Sequence, residues 1–251
     1  EWFDIVKPHF FRAPLDNDKG FGNWIAKDWK NNRLDSPETA TVKPLDAKRN
    51  ADGTVTVTAT QECRYANGKI TTDYVYTMDA DGSVDFSATY TPEGQLPPLP
   101  CIGNTFLMDK DMTRLSWYGQ GLQDSYVDRL EATGIGRWTS SVDQEYVHYP
   151  RPQSSGNHEQ TVTLSLTDAK GRGYTVTTAN ATPFAFSALP YSEHQLSTVA
   201  HDCDLHTENN VFLNIDAAMM GLGNSSCGPG VLTKYSIPQK QPSLHVMFKR
   251  K

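Results

Sequence analysis

The sequence is poor in cysteine, and the four it has, Cys63, Cys101, Cys203 and Cys227, are scattered without a CxxC pair. That spacing excludes a zinc-ribbon or thioredoxin-type redox motif. Four buried or half-buried thiols is the simple reading, and two disulfides stay open without being signalled. No apolar run approaches the roughly 20 residues a membrane helix needs. There is no excess of positive charge. The formal net charge of −6 gives no electrostatic footprint for nucleic acid. Helical periodicity is almost absent, as is any fixed repeat of roughly 20–50 residues. The chain starts at Glu1 rather than Met, and no signal-like apolar stretch follows. It is therefore expected to be a piece of something longer. The terminal Lys249-Arg250-Lys251 reads as a solvated tail.

What is present is a well-supplied core. The chain has 251 residues, 37% hydrophobic, with five Trp, eleven Tyr and ten Phe, which argues against disorder. From Thr39 to Pro92 the pattern is regular. Asp52-Gly53, Asn67-Gly68 and Asp81-Gly82 are hairpin signals, and such pairs suit two-residue type I′ turns. Between them, Val55, Val57 and Ala59 share a face, as do Ile70, Tyr74, Tyr76 and Met78, and Val84, Phe86, Ala88 and Tyr90. An antiparallel meander of long strands follows. Pro97, Pro98 and Pro100 mark a connection or a strand edge. Further strands are expected in "NTFLMD", "RLSWYG", "EQTVTLSLTD", "GYTVTTA", "FAFSALPY", "NVFLNID" and "SLHVMFKR", with a turn at "DAKGRG". Helices are expected only at 23–33 and 192–201. The fold class is all-β, a large antiparallel two-sheet sandwich.

Several motifs invite chemistry. His201, Cys203 and His206 in "HDCDLH" could ligate zinc, but ligands at i, i+2 and i+5 do not share one face of a strand. A polar loop is the better reading. "GLGNSSCGPG" (221–230) resembles a phosphate cradle, yet Gly228-Pro229-Gly230 blocks the helix that a dinucleotide fingerprint needs. A tight loop between strands, open to a ligand, is expected. Asp16-Asn17-Asp18 suggests calcium but lacks the EF-hand spacing. An ion-pair network with Arg12 fits the flanking aromatics better. Glu145, Glu159 and Glu193 lie near His148, His158 and His194 in sequence. Sequence neighbours on strands face opposite ways, so solvated residues are the simpler expectation. Asn180-Ala-Thr182 and Asn224-Ser-Ser226 match glycosylation sequons, a pattern frequent by chance.

"FRAPLDND", "WYGQGLQDSYVDR" (117–129), "YVHYPRPQSSGNH" (146–158), "VFLNIDAAMMGLG" (211–223) and "NSSCGPGVL" (224–232) occur in this order. Together they resemble the C-terminal domain of glycoside hydrolase family 2 β-galactosidases, a separate small chain in some bacterial two-subunit enzymes. The match covers about residues 9–250. The resemblance implies a galactose-mutarotase-like supersandwich as one domain over 1–251, excised from a longer hydrolase, with residues 1–20 as its N-terminal arm. It implies a structural network of Arg12, Asp16, Asn17, Asp18, Asp128 and Arg129. It also implies a substrate-side loop contributing Asn224, Ser226 and Cys227.

Catalysis is expected elsewhere. Retaining hydrolysis needs a carboxylate nucleophile and a carboxyl acid/base, and in this family both come from an upstream TIM barrel. No catalytic residue, metal or cofactor is assigned to this chain, and any Mg or Na belongs to that barrel. The implied partners are the upstream barrel and β-sandwich domains, a carbohydrate substrate and further copies in a homo-oligomer. Neither nucleic acid nor membrane is expected. Compartment stays open between bacterial cytoplasm and periplasm. Three departures bear on specificity. Ser154 stands where many relatives have Glu, Val162 and Thr163 replace an Arg-Trp pair, and Cys227 replaces a Trp that walls the substrate site in lactose-cleaving members. Two alternatives stand beside this reading. One is a stand-alone carbohydrate-binding module using Trp117, Tyr118 and Trp138. The other is a mutarotase-like epimerase using His148, His158 and Glu145.

Overall fold

The alternation of Val, Thr and Tyr sets the architecture. The computed structural model describes residues 6–20, 25–238 and 241–251. Its strands are β1 (Val6–His9), β2 (Glu38–Arg49), β3 (Val55–Tyr65), β4 (Gly68–Met78), β5 (Val84–Gly94), β6 (Cys101–Asp109) and β7 (Arg114–Gly121). They continue with β8 (Gly134–Ser141), β9 (His158–Thr161), β10 (Thr163–Thr167), β11 (Gly173–Thr178), β12 (Phe184–Leu189), β13 (Asn210–Met219) and β14 (Ser243–Arg250). Nine form one sheet in the order β2-β3-β4-β5-β14-β11-β10-β7-β8, and five form another in the order β1-β6-β13-β12-β9. The paired strands are antiparallel. The result is a large two-sheet sandwich.

The meander reads off the period of two. Ile70, Thr72, Tyr74 and Tyr76 of β4 and Val84, Phe86, Ala88 and Tyr90 of β5 are buried, while the alternate residues between them are more exposed. These side chains face the five-stranded sheet. Phe86 meets Phe106 of β6 edge-on at 5.3 Å, and Phe106 meets Phe248 of β14 at 4.8 Å. Asn104 bridges the sheets inside this core. It accepts from the Tyr90 hydroxyl at 2.6 Å and donates to the Tyr74 oxygen at 3.0 Å. A buried amide is tolerated only when so satisfied.

The turns depart from the two-residue expectation. Asp52-Gly53 and Asp81-Gly82 sit in five-residue connections, 50–54 and 79–83. In each, the glycine amide donates to the carbonyl three residues back. Gly53 and Gly82 adopt φ of +91° and +81°. Asp52 and Asp81 then cap the amides of Thr54 and Ser83. This is a type I turn closed by a left-handed glycine. Asp168 to Arg172 repeats it, with Gly171 at φ +79°. The third pair differs. Ala66 and Asn67 alone link β3 to β4, and neither has positive φ.

The five-stranded sheet is covered on both faces, which is why β12 is buried at every position. Phe184, Phe186 and Ala188 face the main core. Ala185 and Leu189 face satellite clusters with Tyr126, Tyr146 and Leu196. The cover consists of the segment after β1, the loops around Tyr126 and Tyr146, and the helix Glu193–Thr198. That helix starts where Ser192 Oγ accepts from the Gln195 amide.

Other expectations shift. "EQTVTLSLTD" is not one strand. It breaks at Val162, with Gln160 at φ +53°, so β9 joins one sheet and β10 the other. The helix expected at 23–33 is Ile25–Asn31, and Asn23 and Trp24 lie outside the described residues, as do residues 1–5 of the arm. Cys63 and Cys101 are buried but Cys203 and Cys227 are exposed, and all four are free. Trp117 is 3% exposed and packs on Phe186, so it is core and not a platform. Among the described residues, no helix is long and apolar enough to cross a membrane.

Two glycines separate backbone strain from packing. At Gly53 nothing lies within 4 Å of where a Cβ would stand, whereas at Gly103 a Cβ would collide with Asp216 and the Ile215 carbonyl. Gly53→Ala is expected to cost about 1–2 kcal/mol, the left-handed penalty alone. Gly103→Ala is expected to cost at least about 3 kcal/mol. Urea midpoints of the two variants check the difference.

Candidate functional site

The polar string near the start of the chain ends buried. Pro8 and Pro14 keep the segment after β1 extended, and it turns into the short helix Asp16–Lys19. Arg12 is fully buried there and Asp18 is 1% exposed. A guanidinium has five N–H donors, and each faces an acceptor. Nε and Nη2 donate to the two Asp18 oxygens at 3.3 and 3.0 Å. Nη1 donates to the Met220 carbonyl at 3.0 Å and meets Met219 Sδ at 3.5 Å. Nη2 also reaches the Gly221 carbonyl at 3.5 Å. Trp29 and Tyr126 present ring faces to Cζ, each at 5.8 Å. Burial opposes the Arg12 charge most strongly, but Asp18, with smaller help from Tyr126 and Cys101, holds its pKa above the ordinary value.

Arg12 thereby fixes the end of β13, and the loop that follows is held by a second set of residues. Asp128 accepts from the Leu222 amide at 3.0 Å and the Gly223 amide at 2.8 Å. Gly221 must lack a side chain, because a Cβ would come within 2.7 Å of the Asp128 carboxyl carbon. The Gly223 carbonyl accepts from Asn17 Nδ2 at 2.7 Å and from Arg129 Nη2. Arg129 also donates to Asn224 Oδ1 at 3.3 Å. Asn17 Oδ1 accepts from the Ser226 hydroxyl. The Asn224 carbonyl accepts from the amides of Cys227 and Gly228. The base of the loop is buried, and Asn224, Ser226, Cys227 and Gly228 are exposed at its tip.

Asp16 sits apart from this network. It is exposed, and its backbone and carboxylate pair with the Gln153 amide at 3.0 and 3.3 Å. Gln153 and Ser154 tie the neighbouring loop to the arm. The Ser154 amide donates to the Ala13 carbonyl, and its hydroxyl donates to Glu193 Oε1 at 3.1 Å. Glu193 Oε2 in turn accepts from the Ala13 amide at 2.5 Å.

The expectation that Glu145, Glu159 and His158 are solvated is overturned. His158 is fully buried and its Nε2 lies 2.6 Å from Glu145 Oε2. Trp117 and Phe186 rings cover it at 4.3 and 5.1 Å. His148 is exposed and pairs instead with Asp202 at 2.9 Å. Nothing local in the sequence signals these pairs, since 13 and 54 residues separate the partners. Glu159 is 8% exposed and accepts from Asn157 Nδ2 at 3.2 Å. Burial, with Asp216 and Asp128 nearby, pushes its pKa to about 8 against the pull of Asn157. The "HDCDLH" segment is a single 3-10 turn, Asp202–Asp204, with Cys203 exposed.

Arg12→Ala leaves Asp18 buried and unpaired, so a loss of about 3–5 kcal/mol is expected. Asp16→Ala is expected to cost about 0.5 kcal/mol or less. Chemical denaturation of both variants checks the contrast. Glu159 gives a pH prediction. Its folded pKa is raised to about 8, so the fold keeps a proton that the unfolded chain releases at about pH 4.3. Its contribution is therefore intact below that pH and is lost as pH rises through about 8. Glu159→Gln is expected to match the parent near pH 4 and to exceed it by about 2–4 kcal/mol above pH 8. Unfolding free energies across pH 4–9 measure this.

The similarities to known proteins run through the same regions. The family model described as beta galactosidase small chain matches residues 1–249. The β-galactosidase BgaC of Bifidobacterium adolescentis is 36% identical over 186 residues, 72% of this chain and 17% of that protein. A β-galactosidase of Streptococcus thermophilus is 32% identical over 218 residues, 86% of this chain and 21% of that protein. The chain thus spans about a fifth of the length of these relatives. Among solved structures, a galactose mutarotase related enzyme from Lactobacillus acidophilus aligns over 83% of this chain and 71% of its own. Its TM-score is 0.40 at 9% identity, a likeness too distant to bear on function. With the match running from the arm through the last strand, the chain belongs to the β-galactosidase small-chain family.

Proposed function

We propose that this chain is the C-terminal accessory domain of a β-galactosidase-type hydrolase. It braces a catalytic barrel and lends the 221–228 loop to the substrate site. The observation that carries this reading is the loop itself. Arg12, Asn17, Asp128 and Arg129 fix its base, while Asn224, Ser226 and Cys227 stay exposed at the tip. A rigid base under a polar, solvent-facing tip suits a loop that completes a site in a neighbouring domain. The retaining chemistry needs two carboxyl groups about 5–5.5 Å apart, and in this reading the barrel supplies both. The partners are that barrel and the upstream β-sandwich domains of the same enzyme, within a homo-oligomer.

Cys227 sets what the tip can do. A thiol lacks the broad apolar face that an indole offers a sugar ring. Ser154, bonded to Glu193, adds no carboxylate of its own. The natural substrate in this reading is a β-galactoside other than lactose.

Chromophore release from an aryl β-galactoside tests the proposal. Activity is expected from the longer enzyme and not from this chain alone. Within the longer enzyme, Cys227→Trp is expected to raise kcat/KM for lactose roughly 2- to 10-fold, chiefly through KM. Activity of the isolated chain, or kinetics indifferent to position 227, would sink it.

A further inference from the structure

The nine-stranded sheet ends at β8, and a cavity opens against the inner face of that strand. Ser140 of β8 shares the inner face with Trp138, which stands opposite the core residue Trp117. Facing Ser140 across the cavity are residues 122–124, the end of the short helix Val142–Glu145, and Val147. The space is about 530 Å³, within the roughly 300–1,000 Å³ of small-molecule pockets.

The lining is rich in acceptors. Glu145 is 6% exposed and spends Oε2 on His158 at 2.6 Å. His158 Nδ1 is buried without a partner. A proton there would go unanswered, so the ring carries it on Nε2 and donates it to Glu145. Glu145 Oε1 has no protein donor among the described residues. Asp124 lines the same space, half-buried. Burial raises its carboxyl above the ordinary range, against the pull of His158 and the Gly156 amide, and Glu145 adds to the rise. Two carboxyls on one cavity favour a ligand that donates hydrogen bonds, and they repel an anion. Among the described residues no third ligand joins them into a metal site. Around them stand the amides of Gln123 and Gln144 and the exposed aliphatic side chains of Leu122 and Val147. Convergent acceptors beside aliphatic walls match a sugar ring, whose hydroxyls donate along its edge and whose C–H groups form an apolar face.

The cavity is also continuous with the tip of the 221–228 loop. The carbonyl of Val147, in its wall, accepts from the Tyr149 amide at 2.8 Å. Burial, then Asp124, then Asp16 raise the Tyr149 pKa, so its hydroxyl lies near both carboxylates. Asp16 adjoins Asn17, which holds Ser226 at the tip. We propose that the cavity is a second sugar subsite, taking a neutral pyranose farther along a β-galactoside chain whose terminal galactose lies at the loop. The ligand class rests on the function proposed above, while the cavity's own carboxyls set its neutrality.

The test starts with isothermal titration of the 251-residue chain with β-1,4-galactotetraose. Saturable binding is expected, and none of an oligogalacturonate of the same length. Asp124→Asn is expected to weaken binding about 10-fold or more, and Ser140→Trp, which fills the space, to abolish it. No binding of the tetraose, equal binding of the galacturonate, or binding unchanged in both variants would overturn the proposal. Tighter binding of putrescine, a diamine without hydroxyls, would contradict it as well, by showing a cation site. The comparison of ligands uses the unmutated chain, so it decides the question whatever a variant does to folding. In the longer enzyme, Ser140→Trp is expected to lower kcat/KM for the tetraose about 10-fold and to leave that for the aryl β-galactoside, too short to reach the cavity, unchanged. Equal loss on both substrates would contradict the subsite. The two readings fail separately. Hydrolysis by the longer enzyme without tetraose binding refutes the subsite alone, and tetraose binding without hydrolysis supports the subsite and refutes the hydrolase.

Discussion

A guanidinium without water must be answered donor by donor, and Arg12 is answered by two strangers in sequence. Asp18, six residues on, neutralises its charge, and the Met219 sulfur with the carbonyls of Met220 and Gly221, over 200 residues on, takes its remaining donors. An unpaired charge at that depth would cost several kcal/mol. The arm and the end of β13 are therefore positioned together, and the loop after β13 inherits its starting geometry from a residue near the start of the chain.

The sandwich is asymmetric for a related reason. Between the sheets the core is aromatic, with Phe86, Phe106 and Phe248 in contact. Behind the five-stranded sheet, small apolar clusters share the space with buried polar groups, His9 and Asp216 among them. The His158–Glu145 pair is buried on the other face, where the His158 ring packs on Trp117 and Phe186. Each buried charge needs a partner or must give up its ionisation. His158 takes Glu145, and His9 takes Asp216. Glu159 keeps its proton, with a pKa of about 8. Such a layer contributes little net stability but admits few rearrangements, which suits a surface that must present one loop in one place.

Much of the fold was legible because it rests on local rules. β3, β4 and β5 follow the period of two, and their glycine turns fall where Asp-Gly pairs stand. The turn type was not legible, because it depends on the residue two before the pair, Asn50 or Asp79, whose carbonyl closes the turn. β8 was missed because "GIGRWTSS" alternates weakly, with two glycines and a polar end. It is a strand only because Trp138 pairs with Trp117 across from it. The loop residues came from a motif resemblance, since spacing alone said nothing of Asp128 reaching Gly223. The buried pairs were invisible for the same reason. Glu145 and His158 meet through the path of a loop, and no period records that path.

Whether the arm and the loop are one unit can be read from amide hydrogen exchange. Leu15, Leu222 and Gly223 would be followed in the parent chain and in an Arg12→Lys variant. Leu15 donates to Asp18, while Leu222 and Gly223 donate to Asp128 and not to Arg12's partners. If Arg12 positions the loop, all three amides lose protection together, because lysine cannot reproduce the five-donor fork. If Leu222 and Gly223 stay protected while Leu15 is released, the loop holds itself, and Arg12 is an anchor of the arm alone.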